Sequence, residues 1–132
     1  MNFDQAHRAI KRGDILAIRH ALQEGLNPNL SNKNSWTLLM LAALVGNTAI
    51  AELLVTHGAD IHALNKIGET ALSLAAHKGH ARLTEWLLGL GASTECRPHG
   101  WQLSDWIRRT SGLSPEKISR ILTLLGDRSH LH

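Results

Sequence analysis

The sequence predicts an all-α fold, a solenoid of about four stacked helix-turn-helix units separated by short hairpin-like loops. Three observations carry this. One stretch is written twice: Thr37-Leu38-Leu39-Met40-Leu41-Ala42-Ala43, Gly46-Asn47, Glu52-Leu53-Leu54 and Gly58-Ala59-Asp60 return 33 positions on as Thr70-Ala71-Leu72-Ser73-Leu74-Ala75-Ala76, Gly79-His80, Glu85-Trp86-Leu87 and Gly91-Ala92-Ser93. The glycines keep the same period, with Gly13, Gly46, Gly79 and Gly112 each 33 apart and Gly25, Gly58 and Gly91 forming a second series. Apolar residues between the glycines fall at helical spacing. Self-similarity at such a period marks units that bury their apolar faces by stacking on one another.

Each period reads as a short helix, a turn at the first glycine, a longer helix and a turn at the second. Glycine suits a helix end because it takes positive φ at little cost. In the first copy, Asp4 is expected to cap a helix from Gln5 to Arg12. A second helix then runs from about Ile15 to Glu24 on Ile15, Ile18 and Leu22. Gly25-Leu26-Asn27-Pro28-Asn29 is turn chemistry. In the middle copies Thr37 and Thr70 stand at N-cap positions. Ala42-Ala43 and Ala75-Ala76 supply small residues where helices approach. Leu53-Leu54 and Trp86-Leu87 supply the bulk that fills the layer between copies. The fourth copy drifts. Gly100 comes one residue early and Gly112 on time, so its first-helix region, about Leu103 to Arg109, carries one extra residue. Ser114-Pro115-Glu116 is a strong helix start, and Gly126 should end that helix before a frayed tail, 127–132. The expected division is one domain, 1–132, with repeats at about 3–33, 34–66, 67–99 and 100–130.

Composition bounds the function. The 132 residues carry 43% hydrophobic side chains and a net charge of +3, which suits one folded domain and falls short of a dedicated nucleic-acid arm. The single cysteine, Cys96, rules out an internal disulfide and fits a reducing compartment. The start of the chain lacks a basic cluster followed by an apolar run, so no signal peptide is expected. The longest apolar run, Leu38 to Val45, is too short to span a bilayer. An intracellular, soluble protein is the expectation.

These motifs resemble ankyrin repeats. Gly68-Glu69-Thr70-Ala71-Leu72, Leu74-Ala75-Ala76, Gly79-His80, Leu87-Leu88 and Gly91-Ala92 sit where that family's pattern places them, as do Thr37, Leu39, Leu41-Ala42-Ala43, Gly46, Leu53-Leu54 and Gly58-Ala59-Asp60. The resemblance implies antiparallel helix pairs in a slightly curved slab. Loops would project from one edge at about Leu30 to Trp36, Ala63 to Glu69 and Cys96 to Trp101. The family's Thr-Pro-Leu-His appears here as Thr37-Leu38-Leu39-Met40 and Thr70-Ala71-Leu72-Ser73, without proline or histidine. In the family that histidine ties neighbouring repeats, and losing one such bond costs roughly 1 kcal/mol.

The resemblance also implies a binding function, on the side made of loop tips and first helices. A repeat keeps only a framework, so positions between framework residues are free to serve a partner. Eighteen such positions can be named, of which eight are Lys or Arg and one is acidic. They are Lys11, Arg12, Lys33, Asn34, Trp36, Leu44, Val45, Lys66, Ile67, Glu69, His77, Lys78, Arg97, His99, Trp101, Gln102, Arg108 and Arg109. The expected contact set within them is Arg12, Lys33, Trp36, Leu44, Val45, Lys66, Ile67, Glu69, His77, Lys78, His99, Trp101, Arg108 and Arg109. Basic residues with aromatic and aliphatic bulk are the composition of an interaction hot spot. Trp36 has a packing alternative on the adjacent loop, and Leu44 and Val45 one against the next repeat. Trp86 and Trp106 read as interior or inter-repeat residues.

The nine histidines show no set of three or four ligands at zinc spacing, and no phosphate-cradling loop or nucleophile elbow is present, so neither metal, cofactor nor catalysis is expected. The expected function is a non-catalytic protein-interaction module, monomeric when free, acting as an adaptor or a stoichiometric inhibitor of the immunity type. Its partner would present an acidic, partly apolar surface. The alternative is a single-stranded nucleic-acid binder, which the modest charge and flanking apolar residues disfavour.

Overall fold

The structure, a computed structural model, describes residues 1–126. The tail expected at 127–132 lies outside the described residues. Eight α-helices follow in order: α1 (Phe3–Arg12), α2 (Ile15–Gln23), α3 (Leu38–Val45), α4 (Thr48–Thr56), α5 (Ala71–His77), α6 (Ala81–Gly89), α7 (Leu103–Thr110) and α8 (Pro115–Leu124). A 3₁₀ turn covers Pro98–Gly100. No strand occurs among the described residues, and the loop tip between α2 and α3 holds an isolated bridge, Ser31 to Thr37. The all-α stack of helix pairs is therefore as expected.

The first helices stand in a row, α1 on α3, α3 on α5 and α5 on α7. Alanines allow this: Ala42, Ala43, Ala75 and Ala76 are fully buried. The second helices fill the layer behind with Ile18, Ile50, Leu54, Leu83 and Leu87, all buried. One apolar core runs from α1 to α6. A second one, Leu103, Trp106, Ile107, Ile121 and Leu122, joins the last pair to Ala76. α3 is buried at six successive positions, Leu38 to Ala43, because it has a helix on either side as well as its own partner.

The helix starts follow local chemistry. Thr37 Oγ1 accepts from the Met40 amide, and Thr70 and Ser73 close a reciprocal capping box. Ser73 thus replaces the family's histidine with a bond inside its own repeat. Ser114 caps α8 with Pro115 at its first position, as expected. α1 is the exception: it begins at Phe3, capped by Asn2 rather than Asp4. Asn2 and Gln5 satisfy each other's amides, at 2.8 and 2.9 Å, which a lone aspartate inside the first turn cannot match.

The hinge glycines explain the register. Gly13, Gly46 and Gly79 take φ of 73°, 82° and 78°, and each lies under a side chain of the following pair. Asn47 covers Gly13, the His80 ring covers Gly46 and Leu113 covers Gly79. These covering residues are themselves 33 apart. His80 also donates from Nε2 to the Leu44 carbonyl at 3.1 Å, closing the end of α3. The tie between repeats that the missing histidine would make is made here instead. The extra residue of the fourth copy is visible as well. α7 starts 32 residues after α5, while α8 starts 34 after α6.

Two alanine substitutions separate space from backbone strain. At Gly58, φ 101° with no neighbour within 4 Å, alanine should cost about 1 kcal/mol from the left-handed conformation alone. At Gly46 the new methyl would sit 2.6 Å from the His80 ring, and the expected loss is at least about 2 kcal/mol. Urea unfolding of both variants checks this, and equal losses would contradict the packing described.

Candidate functional site

Asparagines build the loop tips. Asn32 Oδ1 accepts from the amides of Asn34 and Trp36, each at 3.0 Å. One period later Asn65 Oδ1 accepts from Ile67 and Glu69 at 3.1 and 2.9 Å. Each asparagine also donates its own amide across the tip, to the Trp36 or the Glu69 carbonyl. Earlier in the same connecting loops, Asn27, Asp60 and Ser93 work the same way, each accepting from the amide two residues on. The two asparagines stand 33 apart, a signal in the sequence that the expected contact set does not use. The tips are then tied to each other: the Lys66 amide donates to Asn34 at 3.1 Å, and the His99 amide to Ile67 at 2.7 Å. Three tips form one row joined through the backbone.

The structure places the expected contact residues as follows. Lys33, Lys66, Ile67, Lys78, His99, Trp101, Arg108 and Arg109 are exposed, as are Arg12 and Val45. Trp36 and Leu44 are half-buried and pack on the first core, so packing accounts for part of each side chain. Arg12 lies 3.8 Å from Asp14, an exposed pair worth at most about 1 kcal/mol. Arg108 bonds Asp105 at 3.0 Å. The Arg109 guanidinium stands 5.8 Å from the centre of the Trp101 ring, a cation–π arrangement.

Glu69 departs from the expectation. It is 5% exposed. Its Oε1 accepts from Asn65 Nδ2 at 2.8 Å and its Oε2 faces His99 Nε2 at 3.4 Å. Asn65 offers it both main-chain and side-chain partners, and this turns the carboxylate inward. The acid among the eighteen positions is thereby withdrawn from the surface, and the basic residues around it are left without that counter-charge.

His77 joins the third pair to the fourth. Its ring stacks on Trp106 with centroids 4.0 Å apart, and His99 lies 5.7 Å from the same indole. Thr110 Oγ1 donates to the Trp106 carbonyl, so it accepts from His77 Nε2 at 2.8 Å, and Nε2 is the protonated nitrogen. Trp106 is buried, in line with its reading as an interior or inter-repeat residue, while Trp86 is half-buried against the first core. His80 points the other way, to α3, so His77 and His80 serve different neighbours.

The arrangement supports contact rather than chemistry. Burial pushes the Cys96 thiol up from its ordinary value, although Thr70 Oγ1 opposes this with a hydrogen bond, and a protonated thiol is a poor nucleophile. No three His, Cys, Asp or Glu side chains among the described residues are grouped to hold a metal ion. No helix among them is long and apolar enough to cross a membrane.

Burial lowers the pKa of His77 below its ordinary 6.5, and the Lys78 ammonium acts the same way. A depressed histidine contributes stability that is present above 6.5 and is lost as pH falls through the folded-state value. Replacing His77 by phenylalanine keeps a ring over Trp106 and removes the titration. The wild type should therefore lose stability relative to His77→Phe when pH drops from about 7.5 to about 5. Urea unfolding at both pH values reads this out, and a constant difference between the two proteins would contradict it.

The chain is similar to known proteins. The sequence profile for ankyrin repeats in three copies matches residues 6–97, which begins within α1, runs through α6 and stops before α7. M-phase phosphoprotein 8 of Rattus norvegicus is 42% identical over 72 residues, 53% of this chain and 8% of that protein. A putative E3 ubiquitin-protein ligase, XBAT31 of Arabidopsis thaliana, is 32% identical over 111 residues, 83% of this chain and 24% of that one. The putative ankyrin repeat protein YahD of Escherichia coli K12 is 31% identical over 90 residues, 64% of this chain and 45% of its own length. The chain thus spans less than half the length of each. The profile match across most of the chain, the 33-residue register and the row of paired helices together place this protein in the ankyrin-repeat family.

Proposed function

We propose that the chain is a non-catalytic interaction module that binds a protein through its loop tips and first helices, as an adaptor or as an inhibitor that masks its target. Ankyrin-repeat domains in general mediate protein–protein contacts and are not catalytic. One observation carries the partner's character. Exposed Lys33, Lys66, Lys78, Arg108 and Arg109 are interleaved with exposed Val45, Ile67 and Trp101, while Glu69 is turned inside. A surface of that kind fits an acidic, partly apolar partner, and complementary charge speeds the encounter. A reducing, intracellular site of action fits the single thiol, and a monomer in the free state fits a face reserved for another protein.

A second reading has one observation in its favour. Arg109 over exposed Trp101 is a pair on which a nucleic-acid base could stack. Salt separates the two readings, because phosphate contacts release counterions.

The test is affinity capture from the native host with wild type and with the double variant Trp36→Ala, Trp101→Ala. Loss of each anchor should weaken a captured partner by about tenfold or more while helicity is retained. Unchanged capture would remove both tryptophans from the face. An oligothymidylate probe should show no binding at about 50 mM salt, and tight, steeply salt-dependent binding would favour the second reading.

A further inference from the structure

The two junctions between loop tips are built differently, although the same kind of backbone bond closes both. At the second, Gly68 lets the Arg97 carbonyl approach to 2.5 Å from where a Cβ would stand, Pro98 is buried, and His99 lies over Glu69. That junction is filled by the chain itself. At the first, Asn34, Trp36, Lys66 and Ile67 surround an open hollow. The positions 33 residues on from Asn34 and Trp36 are Ile67 and Glu69, so the polar residue and the indole that wall the hollow have no counterpart there. Apart from Asn34 the walls are apolar: the half-buried indole, the 45%-exposed Ile67 and the aliphatic stem of Lys66. The rim is cationic, with Lys66 on one tip and Lys33 beside Asn34 on the other, both exposed.

We propose that this hollow is an anchor subsite for a single apolar side chain in an acidic segment of a partner protein, with Lys33 and Lys66 meeting carboxylates that flank the anchor. This rests on the reading of the face as protein-binding and narrows it to one place and one kind of sequence. Charge complementarity selects the occupant. The charged residue that lines the hollow is Lys66, Lys33 follows next to Asn34 in sequence, and the nearest acid in sequence, Glu69, is held by Asn65 Nδ2 at 2.8 Å. A base could stack on the indole alone, whereas an aliphatic or aromatic side chain packs on both the indole and the branched Ile67 wall. The tips are tied by the Lys66 to Asn34 bond, so the hollow is formed before the partner arrives and little ordering cost falls on this side.

Peptide selection on the full chain tests the proposal. A phage library of random peptides about 12 residues long is panned on the wild type, and enriched peptides are assayed by fluorescence anisotropy. The expected winners share one Leu, Ile, Met or Phe flanked by Asp or Glu. Their Kd should rise at least about tenfold on Ile67→Asp and several-fold on Lys66→Glu, with no change on Arg82→Glu, an exposed basic position on a second helix. All of the substituted side chains are exposed, so far-UV helicity should match the wild type in each. Enriched peptides sensitive to Arg109→Glu and indifferent to Ile67→Asp would overturn the subsite and leave the protein-binding face standing. Binding of oligothymidylate abolished by Ile67→Asp, with no peptide enriched, would overturn both.

Discussion

Gly13, Gly46 and Gly79 each end a first helix in the left-handed region, and each leaves a gap that only the next helix pair fills. Asn47, His80 and Leu113 are the three plugs. The chemistry of the plug varies, amide, imidazole and isobutyl, while its position does not. That constancy fixes how far each pair turns and slides on the one before it. The core follows from it. Leu39, Ile50, Leu72, Leu83 and Leu87 are buried only because a neighbour is seated in register. A single helix pair has too little apolar surface of its own to be stable, which is the general condition of repeat architectures.

The same constraint frees the opposite edge. Since the stack is held at the hinges and in the core, the tips need only be tied to one another, and two backbone bonds do this. Their side chains are then available. Lys33, Lys66 and Ile67 point to no internal task that the structure reveals, whereas Asn32 and Asn65 hold the loops from within. Division of labour between asparagines inside and lysines outside is what lets a loop be both rigid and variable. Near the end of the stack the balance shifts. His77, His99, Trp106 and Thr110 are occupied with joining the last pair to the third, so fewer groups there remain free to serve a partner.

Much of this was legible in the sequence, and the reason is arithmetic. A period of 33 shared by glycines, threonine caps and alanine pairs leaves one register, so the helices and their turns could be placed to within a residue or two. The misses are of a different kind. Asp4 looked like a cap because aspartate favours that role, yet Asn2 and Gln5 form a reciprocal pair that no single-residue preference reveals. Glu69 looked like a tip residue, and it is one by backbone position. Its burial depends on Asn65, four residues away, and on His99, thirty residues away, and the second of these is a tertiary fact. His80 stood at an ordinary turn position, and its contact with α3 could not be read from spacing within one repeat.

The claim that inter-pair plugging sets the register has one direct measurement. A double-mutant cycle in urea compares Gly46→Ala, His80→Ala and the two together. The methyl at position 46 is penalised because the ring is there, so with His80 truncated it should cost only its backbone strain. The account predicts a favourable coupling of about 1 kcal/mol or more between the two substitutions. Strict additivity, with Gly46→Ala costing the same in either background, would show that the ring does not hold the hinge.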